Sequence, residues 1–150
     1  MSACATCDLV ARRDEGHAPL WDCIRRTDSW DVVHASGTSI EGWMVLVVRR
    51  HITAVADMTD AEARELGPLV KAVSAALQEV VGCVKTYVVQ FAEHPLHPHV
   101  HVHVIPRVAD QPNELQGPRV FSALGLPDDQ CVPEARMNEI AAALLEHLTN

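Results

Sequence analysis

The stretch His99-Val-His-Val-His-Val-Ile-Pro-Arg107 constrains the fold of this chain more than any other part of the sequence. Its strict period of two is that of a β-strand with two different faces. One face carries His99, His101 and His103, and the other carries Val100, Val102 and Val104 for the core. At ~3.3 Å per residue the outer two histidines have Cα atoms roughly 13 Å apart. A single ion with bonds of ~2.0 Å reaches two adjacent histidines of such a row but not easily all three. The row therefore suits separate tasks: one imidazole held structurally or by metal, one attacking, one donating a proton. His94 and His97 lie just upstream, so five of the nine histidines fall within ten residues. A solvated face with incidental histidines is a poor account of that bunching.

The rest of the chain sets bounds on partner and compartment. Its 150 residues fit one domain, 1–150, and twenty acids against twelve bases leave a net charge of −8. That excess argues against long nucleic acids and anionic membranes, which need a basic surface. A wholly apolar run such as Trp43 to Val48 is far short of the ~20 residues of a membrane span. The N-terminus has neither a basic nor an apolar leader segment, so a cytoplasmic protein is expected. Of five cysteines, Cys23, Cys83 and Cys131 stand alone and read as small buried apolar residues. Cys4 and Cys7 form a C-x-x-C with three residues before it, so the strand that precedes a thioredoxin-like pair is not expected. Half of a zinc site is one reading; two surface thiols at a frayed end is the other.

Local patterns give the elements. A short amphipathic helix is expected at about Cys7–Arg13, with Leu9 and Val10 inward. Strands are expected at Leu20–Arg26, Trp30–Ala35, Trp43–Val48, Cys83–Ala92 and His99–Arg107. Thr59-Asp-Ala-Glu62 reads as a capping box that opens a long helix with apolar positions Leu66, Leu69, Val70, Val73 and Leu77. Pro68 predicts a kink or break near Gly67. Residues 110–133 read as irregular, and a closing helix runs from about Glu134 to Leu148. Two substantial helices and five strands without βαβ alternation predict an α+β fold on a largely antiparallel sheet.

At this point the sequence resembles the histidine triad (HIT) superfamily of nucleotidyl hydrolases and transferases. His99-x-His101-x-His103 and the apolar residues after it match the family signature, and the likeness extends over residues 4–107. It implies an antiparallel sheet of about five strands flanked by helices, often in a homodimer. It also implies a structural Zn²⁺ on Cys4, Cys7, His51 and His99, a closed Cys₂His₂ set with no open coordination position. By the same resemblance His101 attacks the α-phosphorus of a nucleotide, and His103 contacts the phosphoryl oxygens or helps to protonate the leaving group. Gln90 matches an amide position that contacts phosphate, and Arg107 closes the motif.

Three positions depart from the family pattern. Many members carry a histidine two residues after the Gly-containing turn before the third strand, and here Gly42 is followed at once by Trp43. Ala35, beside His34, stands near the position of the residue that holds the ribose hydroxyls. His94-Pro-Leu-His97-Pro98 replaces a Gly-Gln-Ser/Thr phosphate loop, with His94 and His97 either replacement donors or exposed loop residues. Arg49 and Arg50 end the central strand, either solvated or attracting a polyphosphate. The expected activity is hydrolysis of a nucleoside phosphoramidate, dinucleoside polyphosphate or similar ester. A transferase or phosphorylase would use the same residues. The alternative from a different class is a zinc-stabilised nucleotide- or protein-binding module without turnover.

Overall fold

The computed structural model describes residues 3–148. Its helices are α1 (Ala5–Asp14), α2 (Asp60–Val80) and α3 (Glu134–Leu148). Its strands are β1 (Arg25–Arg26), β2 (Trp30–His34), β3 (Met44–Val48), β4 (Lys85–Gln90) and β5 (His101–Arg107). They form one antiparallel sheet in the order β1-β2-β3-β5-β4, so the histidine strand lies inside the sheet between β3 and β4. The α+β architecture and the antiparallel sheet are those expected from the sequence.

Both faces of the sheet are covered, and register decides which side chain meets which cover. Val102 pairs with Leu46 and Val104 with Met44; these four join Val32, Leu69, Val73, Leu77, Ile140 and Leu144 in the main core under α2 and α3. His101 pairs with Val47 and His103 with Val45, placing them on the opposite face, where Val10, Val33, Trp43, Ile105 and Val120 pack. Residues 113–130, read as irregular, contain three short 3₁₀ turns, one of which brings Phe121 over this second face. The segment is pinned to the loop before β3 by a Thr38–Leu124 bridge and by the Val132 N–H donating to the Thr38 carbonyl at 2.8 Å.

Several local expectations change. Leu20–Asp22 is a 3₁₀ turn, and only Arg25–Arg26 pairs as strand. The turn delivers Asp22 to the buried guanidinium of Arg13, which also reaches Asp31 at 3.3 Å. α2 runs unbroken through Pro68 behind its Thr59–Glu62 capping box. Pro68 sits on the exposed side, where water can satisfy the carbonyl its missing N–H leaves free. The buried stripe Leu69, Val73, Ala76 and Leu77 holds the helix to the sheet across that point. The fourth strand contracts to Lys85–Gln90, and the fifth begins at His101, since the His99 N–H turns back to the His97 carbonyl and the Val100 N–H donates to the Ile52 carbonyl, each at 2.8 Å.

Candidate metal centre and active site

The turn that opens α1 brings Cys4 and Cys7 against the start of the histidine row. Ligand atoms of Cys4, Cys7, His51 and His99 all lie within 4.8 Å of one another. The Nδ1 atoms of His51 and His99 are 3.2 Å apart, Cys7 Sγ lies 3.2 Å and 3.5 Å from them, and Cys4 Sγ is 3.6 Å from His99 Nδ1. A zinc tetrahedron with Zn–N of ~2.0–2.1 Å and Zn–S of ~2.3 Å has edges of about 3.3 Å between nitrogens and about 3.6 Å between nitrogen and sulfur. The four residues therefore fit a metal ion as they stand. The tautomer fits as well: His99 Nε2 lies 2.6 Å from the Val48 carbonyl, which only accepts, so the proton is on Nε2 and Nδ1 offers its lone pair. Burial, helped by the neighbouring Cys4, pushes the Cys7 thiol up to about 11. A divalent cation reverses that preference by stabilising the thiolate.

The next histidine faces different chemistry. His101 Nδ1 donates to the His99 carbonyl at 2.7 Å, which leaves the Nε2 lone pair available as a nucleophile. His103 follows with ring centroids 4.9 Å away. It is buried, takes the Trp43 indole N–H on Nδ1 at 3.0 Å, and meets Phe121 edge-on. Burial, followed by the nearby His101, depresses its pKa to about 4. His103 is therefore uncharged at neutral pH.

Two cavities share His97, His101 and His103 in their linings. The first, of about 190 Å³, is walled largely by apolar groups including Leu9, Val33, Ala35, Val45 and Val47. The second, of about 440 Å³, is closed by Phe91, Phe121, Leu124 and the loop at Glu93–His94. His97 is partly buried and its Nδ1 is 2.8 Å from the Thr6 hydroxyl. The Ala5 N–H also donates to the Leu96 carbonyl at 2.8 Å, so the cysteine turn braces the loop before the row. His94 lies exposed on the same loop, its Nδ1 accepting the Leu96 N–H. His34 lines the smaller cavity, but both its nitrogens are committed, to the Ala35 carbonyl and the Gly42 N–H.

The structure does not bring every expected residue to these cavities. Gln90 pairs with Val102 and so shares the face of the valines, away from the imidazoles. Arg107 ends β5 and donates to the Val108 and Ala109 carbonyls, outside both linings. Arg49 and Arg50 are taken up by Asp14 and Glu62. Sequence reasoning missed Thr6, Phe121 and the bond from Trp43 to His103. Trp43 alone left a signal, as the residue directly after Gly42 at a turn that departs from the family pattern.

A row of imidazoles that serves a Cys₂His₂ cluster just before an inner strand, and then a pair of cavities along it, defines a histidine-triad type of α+β protein. The HIT domain model matches residues 24–110, and the chain belongs to that family. The fold is similar to a Zn-bound histidine triad family protein from Mycobacterium smegmatis, with 16% identity, a TM-score of 0.67, and 98% of this chain and 94% of that one covered. It is also similar to a hypothetical histidine triad nucleotide-binding protein from Sulfolobus tokodaii, with 13% identity, a TM-score of 0.71, and 96% and 93% covered. A histidine triad protein from Sinorhizobium meliloti has 24% identity, a TM-score of 0.70, and 84% and 88% covered. Comparison with curated protein sequences gives no match. No helix among the described residues is long and apolar enough to cross a membrane.

Proposed function

We propose that this chain hydrolyses a small nucleotide phosphoramidate, dinucleoside polyphosphate or related ester at its α-phosphate, through a covalent nucleotidyl-His101 intermediate. One observation carries the reading: the His101 Nδ1–H is committed to the His99 carbonyl, and the ring stands in the wall common to two cavities. Both cavities are lined largely by apolar groups, and the nucleoside and the leaving group would take one each, with the phosphorus between them. In the first step the Nε2 lone pair of His101 forms a bond to phosphorus, and the bond to the leaving group breaks. The leaving group takes a proton from solvent water as it departs, and the attacking water of the second step returns one to solvent, while the His99 carbonyl stabilises the charge developing on the ring. In the second step water attacks phosphorus, the P–N bond breaks, and the nucleoside monophosphate leaves as His101 returns to its neutral form. His103 and His97 supply hydrogen bonds near the phosphoryl group.

Zinc is the metal we assign to Cys4, Cys7, His51 and His99. It would supply structural cross-linking only, because the four donors fill a tetrahedral shell. Reduced thiols suit a cytoplasmic location. A homodimer through β4 fits that strand's outer edge, which pairs with no other strand among the described residues, with Val88 exposed on it and Phe91 exposed just after it.

The test is incubation with a panel of radiolabelled nucleoside 5′-phosphoramidates and dinucleoside polyphosphates, with trapping of an acid-labile adduct. Label on His101 and loss of turnover in His101→Ala are expected. Equal turnover by His101→Ala and the natural chain on every substrate would remove the nucleophile from the scheme.

A further inference from the structure

Trp43 stands two residues before Val45, the cross-strand partner of His103, so its side chain is a diagonal neighbour of that histidine on the same face. It is fully buried, and its indole ring crosses the imidazole at 80° with centroids 5.7 Å apart. Phe121 closes against both rings, at 5.3 Å from Trp43 and 5.1 Å from His103. Within this enclosure the indole nitrogen lies 3.0 Å from His103 Nδ1. An indole nitrogen carries a hydrogen and has no lone pair to offer, so it can only donate. Nδ1 must therefore accept, and the one proton of the neutral ring belongs on Nε2.

We propose that Trp43 is a positioning residue that holds His103 as the Nε2–H tautomer, making this histidine a neutral hydrogen-bond donor to a phosphoryl oxygen and not the acid that protonates the leaving group. The target of that donor rests on the hydrolase reading; the tautomer does not. The neighbouring ring shows the complementary arrangement. Beneath His101 the partner is a carbonyl, which only accepts, so its proton is on Nδ1 and its lone pair is on Nε2. Two adjacent imidazoles thus take opposite tautomers because their buried partners have opposite polarity. One is fixed to attack phosphorus and the other to stabilise the oxygen on which charge develops, and neither ring gives up its proton. Burial among aromatic rings keeps the donor uncharged, so it remains a dipole and does not repel a protonated His101.

The decisive measurement is nuclear magnetic resonance on the ¹⁵N-labelled chain at neutral pH. Long-range ¹H–¹⁵N spectra are expected to show His103 with a bare Nδ1 and a protonated Nε2. A through-hydrogen-bond coupling is expected between Trp43 Nε1 and His103 Nδ1. A protonated Nδ1, an imidazolium, or the absence of that coupling overturns the proposal. Trp43→Phe keeps an aromatic ring and removes the donor. In it His103 is expected to populate both tautomers, and kcat on a nucleoside phosphoramidate to fall roughly ten- to a hundred-fold with KM within about threefold. Trp43→His, which returns a ring N–H, is expected to recover part of the loss. An unchanged tautomer and kcat in Trp43→Phe would also overturn it. Should Trp43→Phe not fold, the coupling in the natural chain decides. Should the natural chain turn over no nucleotide, the hydrolase reading fails while the spectra still decide the tautomer.

Discussion

Lowering the pH should draw stability from this protein through one buried ring. Protonating His103 in the folded state places a charge among Trp43, Phe121 and the neighbouring His101, and its pKa falls from 6.5 to about 4. The unfolded chain binds the proton near pH 6.5, so between these values it holds more protons than the folded chain, and stability rises with pH. The contribution is intact above 6.5 and is lost progressively as the pH falls to about 4. At 1.36 kcal/mol per unit this is worth about 3 kcal/mol, a large part of a typical total of about 5–15 kcal/mol. The assay is urea unfolding at a series of pH values, comparing the natural chain with His103→Asn. Asparagine does not titrate, and its amide oxygen can still accept the Trp43 indole N–H. His34, whose pKa burial also lowers, is present in both chains, so its contribution cancels in the difference. The stability advantage of the natural chain is expected to shrink by about 3 kcal/mol from neutral pH to pH 4. Parallel curves for the two chains would refute the reasoning.

Three further outcomes follow from particular contacts. Arg13→Met leaves the buried carboxylates of Asp22 and Asp31 short of a guanidinium, and a loss of about 3 kcal/mol is expected by urea unfolding. Gly42→Ala should cost about 1–3 kcal/mol by the same measurement, because φ is +86° and an added Cβ would stand 2.8 Å from Val81 Cγ2 and 3.1 Å from Leu77 Cδ2. Elemental analysis should find close to one zinc per chain, and Cys4→Ser should lower both zinc content and the melting temperature read by calorimetry. A natural chain purified without zinc would sink that assignment.

What the sequence made legible was local. Alternation of His and Val placed the histidine strand and its two faces, and Thr59 with Glu62 placed the start of α2, since both signals are complete within a few residues. The α3 helix likewise runs from Glu134 to Leu148 as its spacing predicts. The failures came where distant partners outweighed local preference. Leu20–Asp22 looks like a strand until Asp22 is seen serving Arg13 from α1. His99 lies outside the fifth strand because its N–H turns back to the His97 carbonyl and the next N–H goes to Ile52, 48 positions away. Thr6 meets His97 across 91 positions and Trp43 meets His103 across 60, and no spacing rule reaches that far. The resemblance to a known family supplied the Cys4, Cys7, His51, His99 grouping, which geometry then showed to be compact.

The net charge of −8 raises the question of how such a chain would hold a phosphate, and the cations do not answer it. Among the described residues, Arg13 is the one arginine or lysine lining either histidine cavity, and its guanidinium is spent on Asp22 and Asp31. Arg49, Arg50 and Arg107 are committed to carboxylates or carbonyls elsewhere. Under the proposed chemistry, recognition falls to oriented neutral dipoles, the imidazole N–H groups fixed by buried partners. Such donors favour the charge that develops on one phosphoryl group and give little to a string of phosphates. The larger cavity also carries Glu93, whose carboxylate would repel a second phosphate and would tolerate an amine. Within the proposed substrate range, these features weigh toward a nucleoside phosphoramidate with an amine leaving group over a dinucleoside polyphosphate.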